Sequence, residues 1–160
     1  MSMTDLDTAI AGFRSGFPAS DDQLTPGRWS DEDWRNLFRF TSVRRVKAGD
    51  TLIRRGDPDR TLYFITGGNL EVVVHSGDGM SMGPLTRTGA GSVIGEQSFF
   101  DGLPRSASVW ATDQCEVAAM SPEQYAAFEQ ANPARAHELI FALARVLAVR
   151  LRRTTAKVLG

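Results

Sequence analysis

A single cysteine in 160 residues, Cys115, excludes an internal disulfide and a thiolate metal cluster, and it agrees with a reducing compartment. Its plain reading is a small core residue in a strand. Histidine is nearly as scarce: His75 falls in a strand-like run and His137 on a late helix. Each reads as a surface or packing residue, because a metal centre needs clustered imidazole or carboxylate ligands. No apolar run approaches the length of a membrane span. Met1 to Ile10 carries acids where a secretory signal would be basic and then apolar, so the chain reads as cytoplasmic. An excess of charge of one sign is missing too: 18 Lys and Arg face 19 Asp and Glu, a formal net charge of −1. Neither a global basic field for nucleic acid nor an acidic tail follows. No serine has a histidine and an acid at a recognisable spacing, so no activated nucleophile is legible and the expectation is a noncatalytic chain.

The length suits one domain with a proper core, since halving it would leave two marginal units. Residues 1–28 hold scattered Gly, Pro, Ser and Asp with weak periodicity and read as a loose N-terminal arm, although Ile10, Phe13 and Phe17 offer a short apolar face. Residues 29–160 form the expected domain. Ser30 followed by Asp33 has the form of a capping signal, and Trp34, Leu37 and Phe38 then recur at helical spacing to about Phe40. From Val43 the pattern becomes strand-like: Val43 to Lys47, Thr51 to Arg55, Thr61 to Thr66, Leu70 to His75, and, after a turn at Ser76-Gly77-Asp78-Gly79, Met80 to Arg87. Ala107 to Thr112 and Cys115 to Met120 complete the set. Short strands with turn residues between them predict a mainly β fold over about 41–120, a jelly-roll-like antiparallel barrel, with helices on either side. Ser121-Pro122-Glu123 starts one C-terminal helix. Asn132-Pro133 ends it, and a second helix runs towards Lys157 with Ile140, Leu143, Leu147 and Leu151 on one face.

The richest stretch is Gly95-Glu96-Gln97-Ser98-Phe99-Phe100-Asp101-Gly102-Leu103-Pro104-Arg105-Ser106-Ala107-Ser108-Val109. It places a carboxylate, an arginine and turn glycines in one excursion between strands. Glu96 can accept from a ribose hydroxyl, and the Arg105 fork of N–H donors matches two phosphate oxygens. The plain alternative is a mutual Glu96–Arg105 salt bridge on a barrel that binds nothing. The segment resembles the phosphate-binding cassette of cyclic nucleotide-binding domains: Gly-Glu, a short helix, then Pro-Arg, a small residue, Ala, Ser or Thr, and Val. The run from Gly56 to Gly68 is similar to that family's early hairpin, so the resemblance spans roughly Trp29 to Thr155.

The resemblance implies a receptor for a 3′,5′-cyclic nucleotide that signals through the C-terminal helix. Arg105 is then the phosphate ligand and Glu96 the ribose ligand, with Gly95, Ser106 and Ala107 supplying close backbone approach or N–H donors. Val93, Ile94, Phe99, Phe100, Leu103 and Val109 read as core or pocket wall, joined by Val73 and Leu85. The family's base-capping group comes from the last helix, and the spacing beyond Arg105 points to Arg150, with Arg145, Arg152 and Thr154 as rivals. Cyclic AMP is the family's commonest ligand, while Ser106 keeps cyclic GMP open. Neither a cofactor nor a metal is expected.

Other readings are weaker. Gly89-Ala90-Gly91 ahead of Gly95 is out of register for a dinucleotide loop and lacks a βαβ unit. A jelly roll also suits a metal-dependent cupin, which the two histidines oppose. Transcription factors of the superfamily carry a helix-turn-helix after the long helix. Residues up to Gly160 leave no room for one, so direct DNA binding is not expected, and Arg150, Arg152, Arg153 and Lys157 read as a solvated helix end. The last helix can fold back as a lid, pair in a homodimer or meet an effector protein. The alternative function is a protein-interaction or scaffolding module with an empty or vestigial pocket.

Overall fold

Leu62 to Gly67 sets the layering, because it is buried on both faces. The computed structural model describes residues 2–17, 20–75 and 82–160, with backbone alone for 75 and 82–85. The expected turn at Ser76 to Gly79 and the first residues of the following run lie outside this set. Among the described residues, eight strands form two antiparallel four-stranded sheets. The first contains β1 (Ser42–Val46), β8 (Cys115–Met120), β3 (Leu62–Gly67) and β6 (Val93–Ile94), in that spatial order. The second contains β2 (Thr51–Ile53), β7 (Ser108–Ala111), β4 (Asn69–His75) and β5 (Met82–Gly89). The fold is thus the expected jelly-roll type, built as two facing sheets rather than a fully closed barrel. The expected run Thr51 to Arg55 stops at Ile53, and the two-residue β6 had no separate signal.

Side chains alternate across the first sheet, as the period of two requires. Tyr63, Ile65, Val117 and Ala119 face Leu70, Val109 and Ala111 of the second sheet in one core. Leu62, Phe64, Ala118 and Met120 face outward into a second core made with the helices. The register Tyr63↔Ala119 and Phe64↔Ala118 keeps both sets aligned, and the small alanines leave room opposite the aromatic rings.

The helices are α1 (Met3–Ser15), α2 (Asp31–Phe38), α3 (Glu96–Asp101), α4 (Pro122–Ala131) and α5 (Pro133–Leu159). Ser30 caps α2 as its spacing predicts: its Oγ accepts from Asp33 N at 3.2 Å while Asp33 Oδ2 accepts from Ser30 N at 2.8 Å. Ser121 and Gln124 repeat the arrangement at α4. Two expectations need correction. The N-terminal region is not a loose arm: α1 buries Leu6, Ala9, Ile10 and Phe13, and the Phe13 ring packs against Trp34, Phe38 and Phe64. Gly12 makes this possible, since a Cβ there would collide with the Thr66 carbonyl of β3. In α5 the inward face is Ala136, Leu139, Leu143 and Val146 rather than the Leu143, Leu147, Leu151 stripe, and Leu151 is 67% exposed. The buried face is offset along the helix from the expected stripe and shares Leu143 with it.

Two outcomes follow for stability. Phe13→Ala should cost about 3–5 kcal/mol in urea unfolding, the range for truncating a buried aromatic; a near-neutral result would mean that α1 does not share the core. Partial burial raises the Asp33 pKa, but the hydrogen bonds from Ser30 and Arg135 outweigh it and hold the carboxyl below 3.8. The Asp33 contribution is therefore present above 3.8 and lost as pH falls through the lower folded value. Asp33→Asn should lose about 1 kcal/mol near neutrality, the scale of a helix cap, and the gap from the parent should close in acid.

Candidate functional site

The site begins where β6 ends. Gly95 takes a left-handed conformation, φ +81°, which lets the chain turn from β6 directly into α3. A Cβ there would sit 2.6 Å from Arg105 Nη1 and 2.7 Å from the Thr61 carbonyl, so glycine is demanded by space as well as by φ. Gly102, also left-handed, ends α3, and its N–H donates to Ser98 O at 3.0 Å. Arg60 donates to Ser98 O and Phe99 O at 3.2 and 3.0 Å, placing a cation at the negative end of this short helix. The returning segment pairs with the β2–β3 loop through Arg105 N to Asp57 O and Gly56 N to Arg105 O.

That frame buries Arg105, whose side chain is 3% exposed. Its Nη2 donates to Asp59 Oδ2 at 2.7 Å and to Thr61 O at 2.6 Å, and its Nη1 donates to Gly95 O at 3.0 Å. The guanidinium carbon lies 5.9 Å from the Tyr63 ring centre. Arg105 Nε is buried and has no hydrogen-bond partner among the described residues. A buried donor in that condition is costly unless something accepts from it. Burial pushes the Asp59 carboxyl up, yet hydrogen bonds from Arg105 and Thr61 hold it below the ordinary aspartate value. Asp59 therefore remains an anion facing the cation.

Glu96, at the first turn of α3, is also buried, but it does not pair with Arg105. Its Oε1 meets Arg150 Nη1 of α5 at 2.7 Å. Arg150 also donates from Nε to Asp22 Oδ2 at 2.9 Å and from Nη2 to Val93 O at 2.8 Å. Burial works against the charged form of Arg150, and the adjacent carboxylates overcome it and raise its pKa. Expected as the group over the base, Arg150 instead has all three nitrogens committed within the protein. Ser106 Oγ donates to Gln97 Oε1 at 2.8 Å.

A cavity of about 740 Å³ opens between the second sheet, α3 and α5. Gly95, Glu96, Arg105, Ser106, Ala107 and Arg150 all line it, so all six candidate residues share one space. Ile53, Val72, Ile94 and Val109 supply apolar wall, and Thr154 lines the α5 side one turn beyond Arg150. Of the expected wall residues, Val73 lies on the other face of β4, and the Leu85 side chain lies outside the described residues. Phe99 turns away to pack edge-on to Tyr125 at 5.6 Å, and Leu103 is 61% exposed. Asp59 and Asp22 were missed as parts of the site. Asp59 sits in the Gly56 to Gly68 run that carried the resemblance, so a search for an acid near the buried arginine would have found it. Asp22 has no local signal, because only the fold brings it to Arg150.

Comparison with known proteins bears on the family. The profile of the cyclic nucleotide-binding domain matches residues 43–132. The chain is 37% identical over 127 residues to the cAMP-activated global transcriptional regulator CRP of Haemophilus influenzae, covering 79% of this chain and 54% of that protein. It thus spans about half the length of that curated relative. The catabolite activator protein of Thermus thermophilus superposes with a TM-score of 0.73 at 27% identity, over 84% of this chain and 62% of the other. A cyclic nucleotide-binding domain from Methylobacillus flagellatus shares the fold with a TM-score of 0.80 at 23% identity, over 98% and 83% of the two chains. A cassette in one piece, a cavity behind it and a profile match across more than half the chain lead to one conclusion: this protein belongs to the cyclic nucleotide-binding domain family.

Proposed function

We propose that the chain is a noncatalytic receptor for a 3′,5′-cyclic nucleotide, with cyclic AMP the preferred ligand over cyclic GMP. The observation that carries this reading is the buried Arg105 lining the cavity with its Nε donor unpartnered. A cyclic phosphate oxygen would accept from Nε, a charge-assisted hydrogen bond between the anion and the guanidinium. The N-terminal amides of α3 are a further source of donors for an anion. Glu96 would accept from the ribose hydroxyl, and Ser106 and Ala107 would border the phosphate. With Arg150 committed to Glu96 and Asp22, Thr154 is the better-placed α5 group for the base edge, since it lines the same cavity.

Signal output through α5 needs a ligand that prefers one arrangement of that helix. Glu96 and Arg150 supply the coupling, because the group proposed to meet the ribose is ion-paired to α5 itself. The outward face of α5 carries Phe141, Leu151 and Val158, exposed 72%, 67% and 79%, with Ala148 and Thr155 at the intervening positions. This is a seven-residue apolar repeat of the kind that pairs helices, which supports a homodimer through α5. Among the described residues no helix is long and apolar enough to cross a membrane.

Calorimetric titration with cyclic AMP and cyclic GMP, with 5′-AMP as the acyclic control, tests the reading. Saturable binding is expected for cyclic AMP, and Arg105→Ala should weaken it by about 2 to 5 kcal/mol, roughly 30-fold to several thousand-fold. Absence of binding to both cyclic nucleotides by folded protein would leave the interaction-module reading in its place. For the dimer, Leu151→Asp should lower the sedimenting mass at fixed concentration; an unchanged mass would remove α5 as the pairing surface.

A further inference from the structure

Residues 20–33 run as a strap along α5, tied to it at five positions. Asp33 Oδ1 meets Arg135 Nε at 2.7 Å, and Trp29 Nε1 donates to Glu138 Oε2 at 2.6 Å. Gln23 O accepts from Arg145 at 3.4 Å, and Asp22 Oδ2 meets Arg150 Nε at 2.9 Å. Beyond these, Arg153 pairs with Asp21 and, at 3.3 Å, with Asp22. Four of these ties end on the surface of α5, whereas the Asp22 tie continues inward. Arg150 passes it to Glu96 Oε1 at 2.7 Å and to the Val93 carbonyl at 2.8 Å, the strand end from which the cassette starts.

We propose that Asp22 is a positioning residue for the cyclic nucleotide site, acting through Arg150 to orient Glu96 towards the ribose hydroxyl. Resting on the receptor reading above, this extends the site to a segment outside the span that the family profile matches. The physical case is one of geometry and charge. Arg150 has three donor nitrogens directed at three different elements, and each partner removes a degree of freedom from the guanidinium. Asp22 fixes the Nε edge, and its own carboxylate is steadied by a hydrogen bond from Ser20 Oγ. Its side chain is 13% exposed, so water competes poorly for this edge. Partial burial raises the Asp22 pKa, and the hydrogen bonds from Ser20 and Arg150 more than reverse that, so the group stays charged. Without Asp22, Arg150 can turn about its remaining two contacts, and the Glu96 carboxylate it holds by one oxygen turns with it. Arg105 and its partners Asp59, Thr61 and Gly95 are not part of this chain of contacts, so phosphate recognition is unaffected.

The separation between ribose and phosphate supplies the test. Cyclic AMP and 2′-deoxy cyclic AMP differ in the hydroxyl assigned to Glu96 and share the phosphate and base. Asp22→Asn, close to isosteric, should weaken cyclic AMP binding roughly 3- to 30-fold, the range of coupling within one ion-pair network, while leaving 2′-deoxy cyclic AMP within about twofold. Asp21→Asn, whose ion pair among the described residues is with Arg153, should change neither, and melting curves should show all three proteins folded. Equal losses for both nucleotides would make Asp22 a structural strap contact alone and overturn the proposal, as would no loss for either. Failure of the parent protein to bind either nucleotide would end the receptor reading and this role together. Parent binding that ignores the 2′ hydroxyl would retire the Glu96 ribose assignment, and the Asp22 role with it, while leaving the receptor intact.

Discussion

A buried guanidinium organises this structure. Arginine stays protonated under all ordinary conditions, so a protein that buries one must surround it with carboxylate and carbonyl oxygens or place it where a ligand supplies them. Arg105 draws those oxygens from three separate parts of the chain: Asp59 in the β2–β3 loop, the Thr61 carbonyl at the entry to β3, and the Gly95 carbonyl at the end of β6. The backbone exchange between Arg105 and residues 56–57 holds the same junction together. Gly95 is left-handed and lacks a side chain because Arg105 Nη1 and the Thr61 carbonyl occupy the space a Cβ would need. One donor, Nε, is left facing no acceptor among the described residues. A cyclic phosphate, as proposed, would supply the missing acceptor.

The second half of the site depends on a different arginine. Arg150 links a carboxylate of the cassette, a strand-end carbonyl and a carboxylate of the N-terminal segment, all from one position on α5. Charge pairs along a helix surface are individually weak, but Arg150 is three-quarters buried and its partners Asp22 and Glu96 more so, which strengthens the interaction and raises the cost of breaking it. The inner face of α5, with Leu139, Leu143 and Val146, holds its first half in the core, while the residues from Leu151 onward are exposed. Arg150 thus sits at the boundary between the packed and the free parts of the helix.

Much of the fold was legible because its signals are local. Ser30 with Asp33 marks a helix start through hydrogen bonds that span three residues, and Ser121 before Pro122 marks another, where Ser121 and Gln124 exchange the same pair of bonds. Alternating apolar residues and turn glycines mark strands in the same way. The cassette was legible for a related reason: its glycines, acid and arginine act within fifteen residues of one another. The N-terminal helix was missed because its moderate apolar content is scattered among Asp, Thr and Arg, and its docking depends on Gly12, whose role exists only against the backbone of β3. The α5 face was only half legible because Ile140, Leu143, Leu147 and Leu151 also recur at helical spacing, and only the packed neighbours decide that Ala136, Leu139, Ala142, Leu143 and Val146 turn inward.

The sequence by itself determined most of the element types, α1 and β6 excepted, together with the antiparallel β framework and a cassette that carries an acid and an arginine in one short segment. These follow from propensities and short-range geometry that neighbouring residues settle among themselves. Only the tertiary structure decided which charges meet: that Arg105 answers to Asp59, that Glu96 answers to Arg150, and that Asp22, 74 positions before Glu96, closes the same network. Ion pairs have no sequence period. Their partners are chosen by where the folded backbone leaves a buried charge without water.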